Sequence, residues 1–140
     1  MGRVVAFIAA ALLAALAATA ASGRTDLGAA HSAACAGAAS SLPTLSPGTL
    51  TVGTDNPAYP PWFGGTPHSP WKVSDPNSGK GFESAVAYAV GGYLGFAHSA
   101  VTWVYTPFNK SFAPGKKAFD FDINEISYTT ARAKVVSFSA

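Results

Sequence analysis

Six prolines and two adjacent glycines fall within residues 57–76, and this stretch constrains the fold more than any other. Proline lacks the backbone N–H that a helix interior or a central strand needs, so the stretch is predicted to be an irregular loop. The loop also carries four large aromatic residues, Tyr59, Trp62, Phe63 and Trp71. Two interpretations stay open, because these rings either fill the core of the domain or form part of the wall of a ligand site.

Composition excludes several classes of protein. Charged residues make up 11% of the 140 residues, and the net charge is +2. Basic residues form no run longer than Lys116-Lys117, so we expect no nucleic-acid partner. The single cysteine rules out an internal disulfide framework and a cysteine-rich zinc site. The three histidines are far apart in the sequence, and we therefore expect no metal ion and no other cofactor.

Residues 1–21 have the three parts of a secretory signal peptide. Met1-Gly2-Arg3 gives a positive start, an apolar run covers residues 4–21, and Ala18-Thr19-Ala20 supplies the small residues that signal peptidase requires. The apolar run just reaches the length of a membrane-spanning helix, but ten of its residues are alanine, which is only weakly apolar. We therefore expect a cleaved signal rather than a permanent anchor, and a location in the periplasm or outside the cell.

Residues 22–48 are rich in Ala, Ser, Gly, Thr and Pro and show no periodicity, which predicts a flexible tether. Within this segment Ser32-Ala33-Ala34-Cys35 offers a second way to reach the membrane surface. Bacterial lipoproteins carry a lipid on a cysteine that follows a box of small residues. Cys35 is thus either a lipid anchor or a free cysteine in the tether, and the ordered domain is expected to cover residues 49–140.

The ordered domain alternates between strand-like and helix-like segments. Strands are predicted at residues 50–54, 101–105, 119–124 and 135–138, where β-branched and aromatic residues are frequent. Helices are predicted at residues 82–96, at 109–113 and, capped by Thr129 or Thr130, at 131–134. This order predicts the α/β class with a mostly parallel sheet, in which ligands collect beyond the carboxyl ends of the strands.

Five short motifs follow one another along this domain. The first is Leu50-Thr51-Val52-Gly53-Thr54-Asp55 with Tyr59-Pro60-Pro61-Trp62, and the second is Gly79-Lys80-Gly81-Phe82-Glu83. Trp103-Val104 with Phe108-Asn109 and Gly115-Lys116-Lys117-Ala118-Phe119-Asp120 come next, and the last is Ile126-Ser127-Tyr128-Thr129-Thr130-Ala131-Arg132 continued to Phe138-Ser139. Together they resemble the family 3 extracellular solute-binding proteins, the periplasmic receptors of polar amino-acid ABC transporters.

The resemblance implies a type II periplasmic binding protein, in which two α/β lobes close on a small ligand about a hinge. Because the chain stops soon after the last motif, we expect it to be part of the first lobe, with the second lobe absent. The implied function is the capture of a zwitterionic amino acid for import, with an ABC permease as partner and with no catalysis.

Arg132 and Ser127 are predicted to bind the carboxylate of the ligand. The guanidinium of Arg132 presents a planar fork that suits two parallel hydrogen bonds to a carboxylate. Its position at the start of a short helix adds backbone amides that favour an anion. Ser127 can donate its hydroxyl to the same group.

Five further residues complete the predicted ligand site. Asn124 and Glu125 match positions that contact the ligand in the family, and Tyr59 and Phe108 match the aromatic residues on either side of it. Asp55 matches an acid that can receive an ammonium group. Glu125 departs from the family, where a small residue is usual, and a carboxylate there would neutralise Arg132, favour a cationic ligand or point away.

Each assignment has a structural alternative. Arg132 could be a solvated helix charge and Ser127 a neighbour of a helix cap, Phe108 and Tyr59 could be packing residues, and Asp55 could belong to an Asx turn before Pro57. The function has alternatives as well. The chain could be a fragment without function, or an enzyme on the same scaffold, either dehydratase-like or part of a peptidoglycan-cleaving protein.

Overall fold

A computed structural model describes residues 38–139 of the chain. Its regular elements are the helices α1 (Ala38–Ser41), α2 (Phe82–Tyr93) and α3 (Phe108–Ser111), and the strands β1 (Leu50–Thr54), β2 (Val101–Tyr105) and β3 (Phe121–Asp122). Short 3-10 helices cover Pro76–Ser78, His98–Ala100 and Arg132–Lys134. The predicted signal peptide and Cys35 lie outside the described residues.

The described strands form one parallel sheet in the order β2-β1-β3. Leu50 of the central strand pairs with Val101, and Val52 pairs with Phe121. The predicted α/β class with a parallel sheet is therefore confirmed. The bounds of β1 and β2 are those predicted, whereas β3 covers two residues of the predicted segment 119–124.

Helix α2 covers one face of the sheet and creates the apolar core. Its members are buried to at least 95%, and they are Leu50, Val52, Ala87, Phe96 and Val101. Close approach of the helix to the sheet requires a glycine, because a Cβ on Gly91 would lie 2.8 Å from Cγ2 of Val101. The helix ends at Tyr93, before the predicted end at residue 96, since Gly95 adopts a φ of 88° that a helix cannot contain.

Packing against the core begins inside the segment predicted as a tether. Ala39 of α1 and Leu42 contact the core from outside. Asp120 fastens the chain that follows, because its Oδ1 accepts a hydrogen bond from the Leu45 amide and its Oδ2 accepts one from the Thr51 amide, both at 2.7 Å. The ordered region therefore starts earlier in the chain than residue 49.

The proline-rich stretch is an irregular loop, as predicted, apart from the 3-10 turn at Pro76–Ser78. Phe63 and Trp71 are 2% and 5% exposed, so these two rings fill the core. Phe63 meets Trp103 of β2 edge to face, with the ring centroids 5.8 Å apart. Tyr59 is 58% exposed and does not belong to this core.

The C-terminal segment has the predicted turn but lacks the predicted strand. Ala131 rather than a threonine is the N-cap of the 3-10 helix, and Oγ1 of the preceding Thr129 accepts a hydrogen bond from the Arg132 amide at 3.1 Å. Residues 135–138 pair with no strand of the described sheet, and Tyr128 instead meets Phe138 edge to face at 5.5 Å. Across residues 38–139, no helix has the length and apolar character needed to span a membrane.

Candidate functional site

A cleft of about 800 Å³ lies where β3 ends and the chain continues to its C-terminus. Its walls come from the first turn of α2, the end of α3, the residues on both sides of β3 and the last described residues of the chain. Because β1, β2 and β3 are parallel, their carboxyl ends meet at one edge of the sheet, which is where open α/β sheets bind ligands. The cleft therefore lies at the edge where the sequence predicts a site.

Three of the predicted site residues line this cleft, namely Asn124, Glu125 and Ser127. Glu125 adopts a φ of 50°, a left-handed conformation that explains why a small residue suits this position. Its backbone N–H donates a hydrogen bond to Oε1 of Glu83 at 2.7 Å, and its own side chain is exposed. The carboxylate of Glu125 therefore stands at the mouth of the cleft and does not contact Arg132 directly.

Arg132 does not line the cleft but contacts two residues that do. Its guanidinium carbon lies 4.3 Å from the ring centroid of Phe112 and 5.3 Å from that of Phe108, and its Nη1 donates to the Ser127 carbonyl at 2.8 Å. The backbone amides at the start of this short helix, which were predicted to bind the ligand's carboxylate, are not free to do so. Thr129 already accepts hydrogen bonds from the Arg132 and Ala133 amides.

The other predicted residues lie outside the cleft walls. Phe108 packs edge to face on Phe112 at 5.4 Å and forms part of the surface that supports Arg132. Asp55 follows β1 and accepts a hydrogen bond from the adjacent Asn56 amide at 2.7 Å, which is one residue short of the contact that defines an Asx turn. Tyr59 projects into solvent. The structure thus brings Phe108 together with Arg132, and Asn124 together with Glu125 and Ser127.

The inner end of the cleft holds polar side chains that sequence analysis did not single out as a site. Glu83 and Ser111 are 6% and 4% exposed, and Asp122 lies beside them on β3. Both carboxylate oxygens of Asp122, Oε2 of Glu83 and Oγ of Ser111 are buried, and no described residue provides them with a hydrogen-bond partner. Buried polar atoms without partners are costly, so such a cluster needs an explanation.

The pKa of Asp122 is raised from 3.8 to about 7, mainly by burial and to a lesser extent by the negative charges of Glu83 and Asp55. The Ser111 hydroxyl and the Lys117 ammonium lower the pKa less than burial raises it, and Ser111 does not meet Asp122 in hydrogen-bonding geometry. The pKa of Glu83 is also raised by burial, against the hydrogen bond from the Glu125 amide. The inner end therefore holds two acids whose charged forms are poorly solvated.

Gly53 of β1 makes room for this cluster. A Cβ on Gly53 would overlap the Asp122 carboxylate and would lie 2.8 Å from the Phe119 ring and 2.9 Å from Oγ1 of Thr106. Only glycine permits these three side chains to converge on the strand. The one sequence signal for the cluster is the pair of acids in Phe119-Asp120-Phe121-Asp122, which breaks an otherwise apolar strand.

Glu83 is held in place by the proline-rich loop rather than by a capping side chain. The amides of Phe82 and Glu83, in the first turn of α2, donate hydrogen bonds to the Pro61 and Trp62 carbonyls at 3.2 and 2.9 Å. Gly81 precedes the helix at a φ of 90°, and a Cβ there would clash with the Trp62 carbonyl. The loop therefore fixes the start of α2 and, with it, the acid at the inner end.

The charges that line the cleft are mostly negative. Lys117 is the basic residue among the lining residues, and its Nζ donates hydrogen bonds to the backbone carbonyls of Lys110 and Ala113. The lining also contains the four acids Glu83, Asp120, Asp122 and Glu125. Within residues 38–139, no three side chains of His, Cys, Asp or Glu gather closely enough to hold a metal ion.

Three comparisons with known proteins complete the description of the site. No protein-family model matches the chain, and neither a curated protein nor a solved structure matches it.

Proposed function

We propose that this chain is the substrate-binding component of an amino-acid importer of the ABC type, exported by the signal at residues 1–21 and holding a small amino-acid-like ligand outside the cytoplasmic membrane. The observation that carries the proposal is the position of the cleft, at the carboxyl end of β3 in a parallel sheet, with Asn124, Glu125 and Ser127 in its wall. The family motifs quoted above support the same assignment. The permease is the proposed partner, and the domain is the proposed solute-binding lobe.

The acids of the cleft and the Arg132 guanidinium beside it together suit a ligand that carries both charges. A guanidinium has five N–H donors, and the Arg132 contact with the Ser127 carbonyl uses one nitrogen. The guanidinium carbon lies 4.3 Å from the Phe112 ring centroid and 5.3 Å from that of Phe108, and these cation–π contacts limit its movement while leaving N–H donors for a carboxylate. The acids elsewhere in the cleft provide acceptors for an ammonium group.

Titration of the full chain with amino acids, followed by amide chemical shifts in NMR spectra, tests the proposal. We expect shifts at Asn124, Ser127 and Arg132 with millimolar or tighter affinity. Replacing Arg132→Ala should weaken binding about 10- to 100-fold, because a charged hydrogen bond to a carboxylate is lost. Arg132→Lys should restore only part of the affinity, since it keeps the charge but not the fork.

Lys134→Ala is the matched control, because Lys134 is an exposed cation on the same 3-10 helix and takes part in none of the contacts of Arg132. It should leave the affinity unchanged. Equal affinities of the Arg132→Ala variant and the unmodified chain would refute the assigned role of the guanidinium. Amide shifts confined to residues outside the cleft would refute the site itself.

One observation favours the alternative that the chain is an enzyme, and it is the raised pKa of Asp122. A carboxyl group with a pKa of about 7 can donate or accept a proton at neutral pH, as general acids and bases do. The same NMR samples distinguish the two functions. A binding protein leaves the ligand spectrum unchanged over days, whereas an enzyme produces new ligand resonances that depend on Asp122.

A further inference from the structure

The inner end of the cleft combines burial with an unusual shortage of hydrogen-bond partners. Glu83 and Ser111 are more than nine-tenths buried, and both line the cleft. One oxygen of Glu83, the hydroxyl of Ser111 and both oxygens of Asp122 accept no hydrogen bond from any described residue. The cleft thus ends in three carboxylate oxygens that can only accept, beside the Ser111 hydroxyl, and the buried Nδ2 of Asn124 in the same wall also lacks a partner. The carboxylate oxygens point to a donor supplied from outside the chain.

We infer that this inner end is a subsite for an alkylammonium group, which inserts between the carboxylates of Glu83 and Asp122 and donates its third hydrogen bond to Ser111. The inference rests on the proposed function and adds a substrate class, because the ligand then carries a second amino group at the end of an aliphatic side chain. An ammonium group has three N–H donors and no acceptor, which matches a site made of acceptors.

The protein's own cations do not provide this donor. Lys117 is close enough to lower the pKa of Asp122, but its Nζ is bound to the carbonyls of Lys110 and Ala113. Arg132 is bound to the Ser127 carbonyl and to the ring faces of Phe112 and Phe108. Asp55 adds negative charge from the end of β1. A buried group of like charges without an internal counter-ion favours a cationic ligand.

Burial also gives this subsite a dependence on pH. The groups that face Asp122 are Glu83 at the start of α2, Asp55 after β1, Ser111 at the end of α3 and Lys117 beyond it. Asp122 loses its proton near pH 7, so the subsite carries more negative charge at pH 8 than at pH 5.5. The preference for an alkylammonium group should therefore increase over this range.

Three small molecules test the contributions of the ligand's carboxylate and terminal ammonium groups separately. L-lysine carries the carboxylate and the terminal ammonium, L-norleucine lacks only the terminal ammonium, and cadaverine lacks the carboxylate. At pH 8 we expect the full chain to bind L-lysine at least tenfold more tightly than L-norleucine, as measured by NMR titration. The difference should shrink to less than threefold at pH 5.5.

Asp122→Asn and Glu83→Gln are the test variants, because each keeps the shape of the side chain and removes its charge. Both should lower the affinity for L-lysine to that for L-norleucine, and Ser111→Ala should lower it about three- to tenfold. Asp75→Asn is the matched control, since it removes one negative charge outside the cleft while keeping the side-chain oxygen that caps the Pro76–Ser78 turn.

The outcomes distinguish this inference from the proposed function. Equal binding of L-lysine and L-norleucine would overturn the subsite and leave the amino-acid site standing. Binding of cadaverine as tight as that of L-lysine, with no binding of L-norleucine, would support the subsite and overturn the capture of a zwitterion. Failure of all three to bind would overturn both, and shifts at Asp122 produced by calcium chloride but not by the amines would replace the subsite with a metal site.

Discussion

Asp120 and Asp122 are two residues apart, yet the structure uses them in opposite ways. Each oxygen of Asp120 accepts a backbone amide at 2.7 Å, from Leu45 on one side and Thr51 on the other. Neither oxygen of Asp122 has a partner among the described residues, although both are buried. Asp120 joins the N-terminal segment to the sheet, whereas burial of the unpartnered Asp122 carboxylate costs free energy. That cost distinguishes a candidate site from a structural acid.

The largest effect is expected at the glycine beside Asp122. Gly53→Ala should lower the free energy of unfolding by about 2–3 kcal/mol, because the new methyl group overlaps the Asp122 carboxylate, the Phe119 ring and the Thr106 hydroxyl. Urea denaturation followed by fluorescence measures the change. Loss of ligand binding in the same variant would strengthen the contrast between Asp122, as a residue of the site, and Asp120, as a structural residue.

Gly92→Ala in α2 is the control for this substitution. A Cβ on Gly92 has no neighbour within 4 Å, so the helix should gain about 0.5–1 kcal/mol from the better propensity of alanine. A loss of stability at Gly92 equal to that at Gly53 would show that the close packing around Asp122 is not the cause.

Removal of the Asp120 charge should have the next largest effect. Asp120→Asn weakens two charge-assisted hydrogen bonds and replaces one acceptor by an NH₂ group, so we expect a loss of about 2 kcal/mol. Faster amide hydrogen exchange at Leu45 and Thr51 should accompany it. An Asp120→Asn variant as stable as the unmodified chain would break the contrast between the two acids.

Asp122→Asn should instead raise stability relative to the unmodified chain, by an amount that grows between pH 4 and 7. The folded pKa of about 7 lies above the unfolded value of 3.8, so the folded state holds the proton more tightly. This contribution is complete below pH 4 and is lost as the pH rises to about 7, by about 1–2 kcal/mol after allowance for solvent screening. Urea denaturation between pH 4 and 8 should show this slope in the unmodified chain and a smaller one in the variant, where Glu83 remains.

A steeper slope in the Asp122→Asn variant than in the unmodified chain would contradict this account. So would an increase in the stability of the unmodified chain from pH 4 to 7, because the raised pKa values of Asp122 and Glu83 both predict a decrease.

The fold could be predicted from local patterns where each strand or helix carries its own apolar residues. β1 and β2 have the predicted bounds, because three of the five residues of β1 are β-branched and β2 consists of β-branched and aromatic residues. β3 was predicted too long, since the alternation of aromatic and acidic residues resembles a strand beyond the two residues that pair with β1. The predicted strand at 135–138 has the right residues, but no described strand pairs with it.

The site could be predicted only in part because its inner residues resemble structural ones. Asn124, Glu125 and Ser127 were found through motifs next to a strand end, and they line the cleft. Glu83 looks like an ordinary acid in the first turn of a helix, where the helix dipole favours it. Asp122 and Asp120 are indistinguishable in the sequence, because only tertiary packing decides which of them receives backbone amides.

The hydrogen bonds between α2 and the proline-rich loop have a consequence for any transfer of this site to another protein. The carbonyls of Pro61 and Trp62 accept hydrogen bonds from the amides of Phe82 and Glu83, and the absence of a Cβ on Gly81 permits this close contact. The loop and Glu83 therefore form one rigid unit, although the loop's side chains lie outside the cleft. A grafted or redesigned version of this binding site would have to include the loop, because the loop sets the orientation of Glu83.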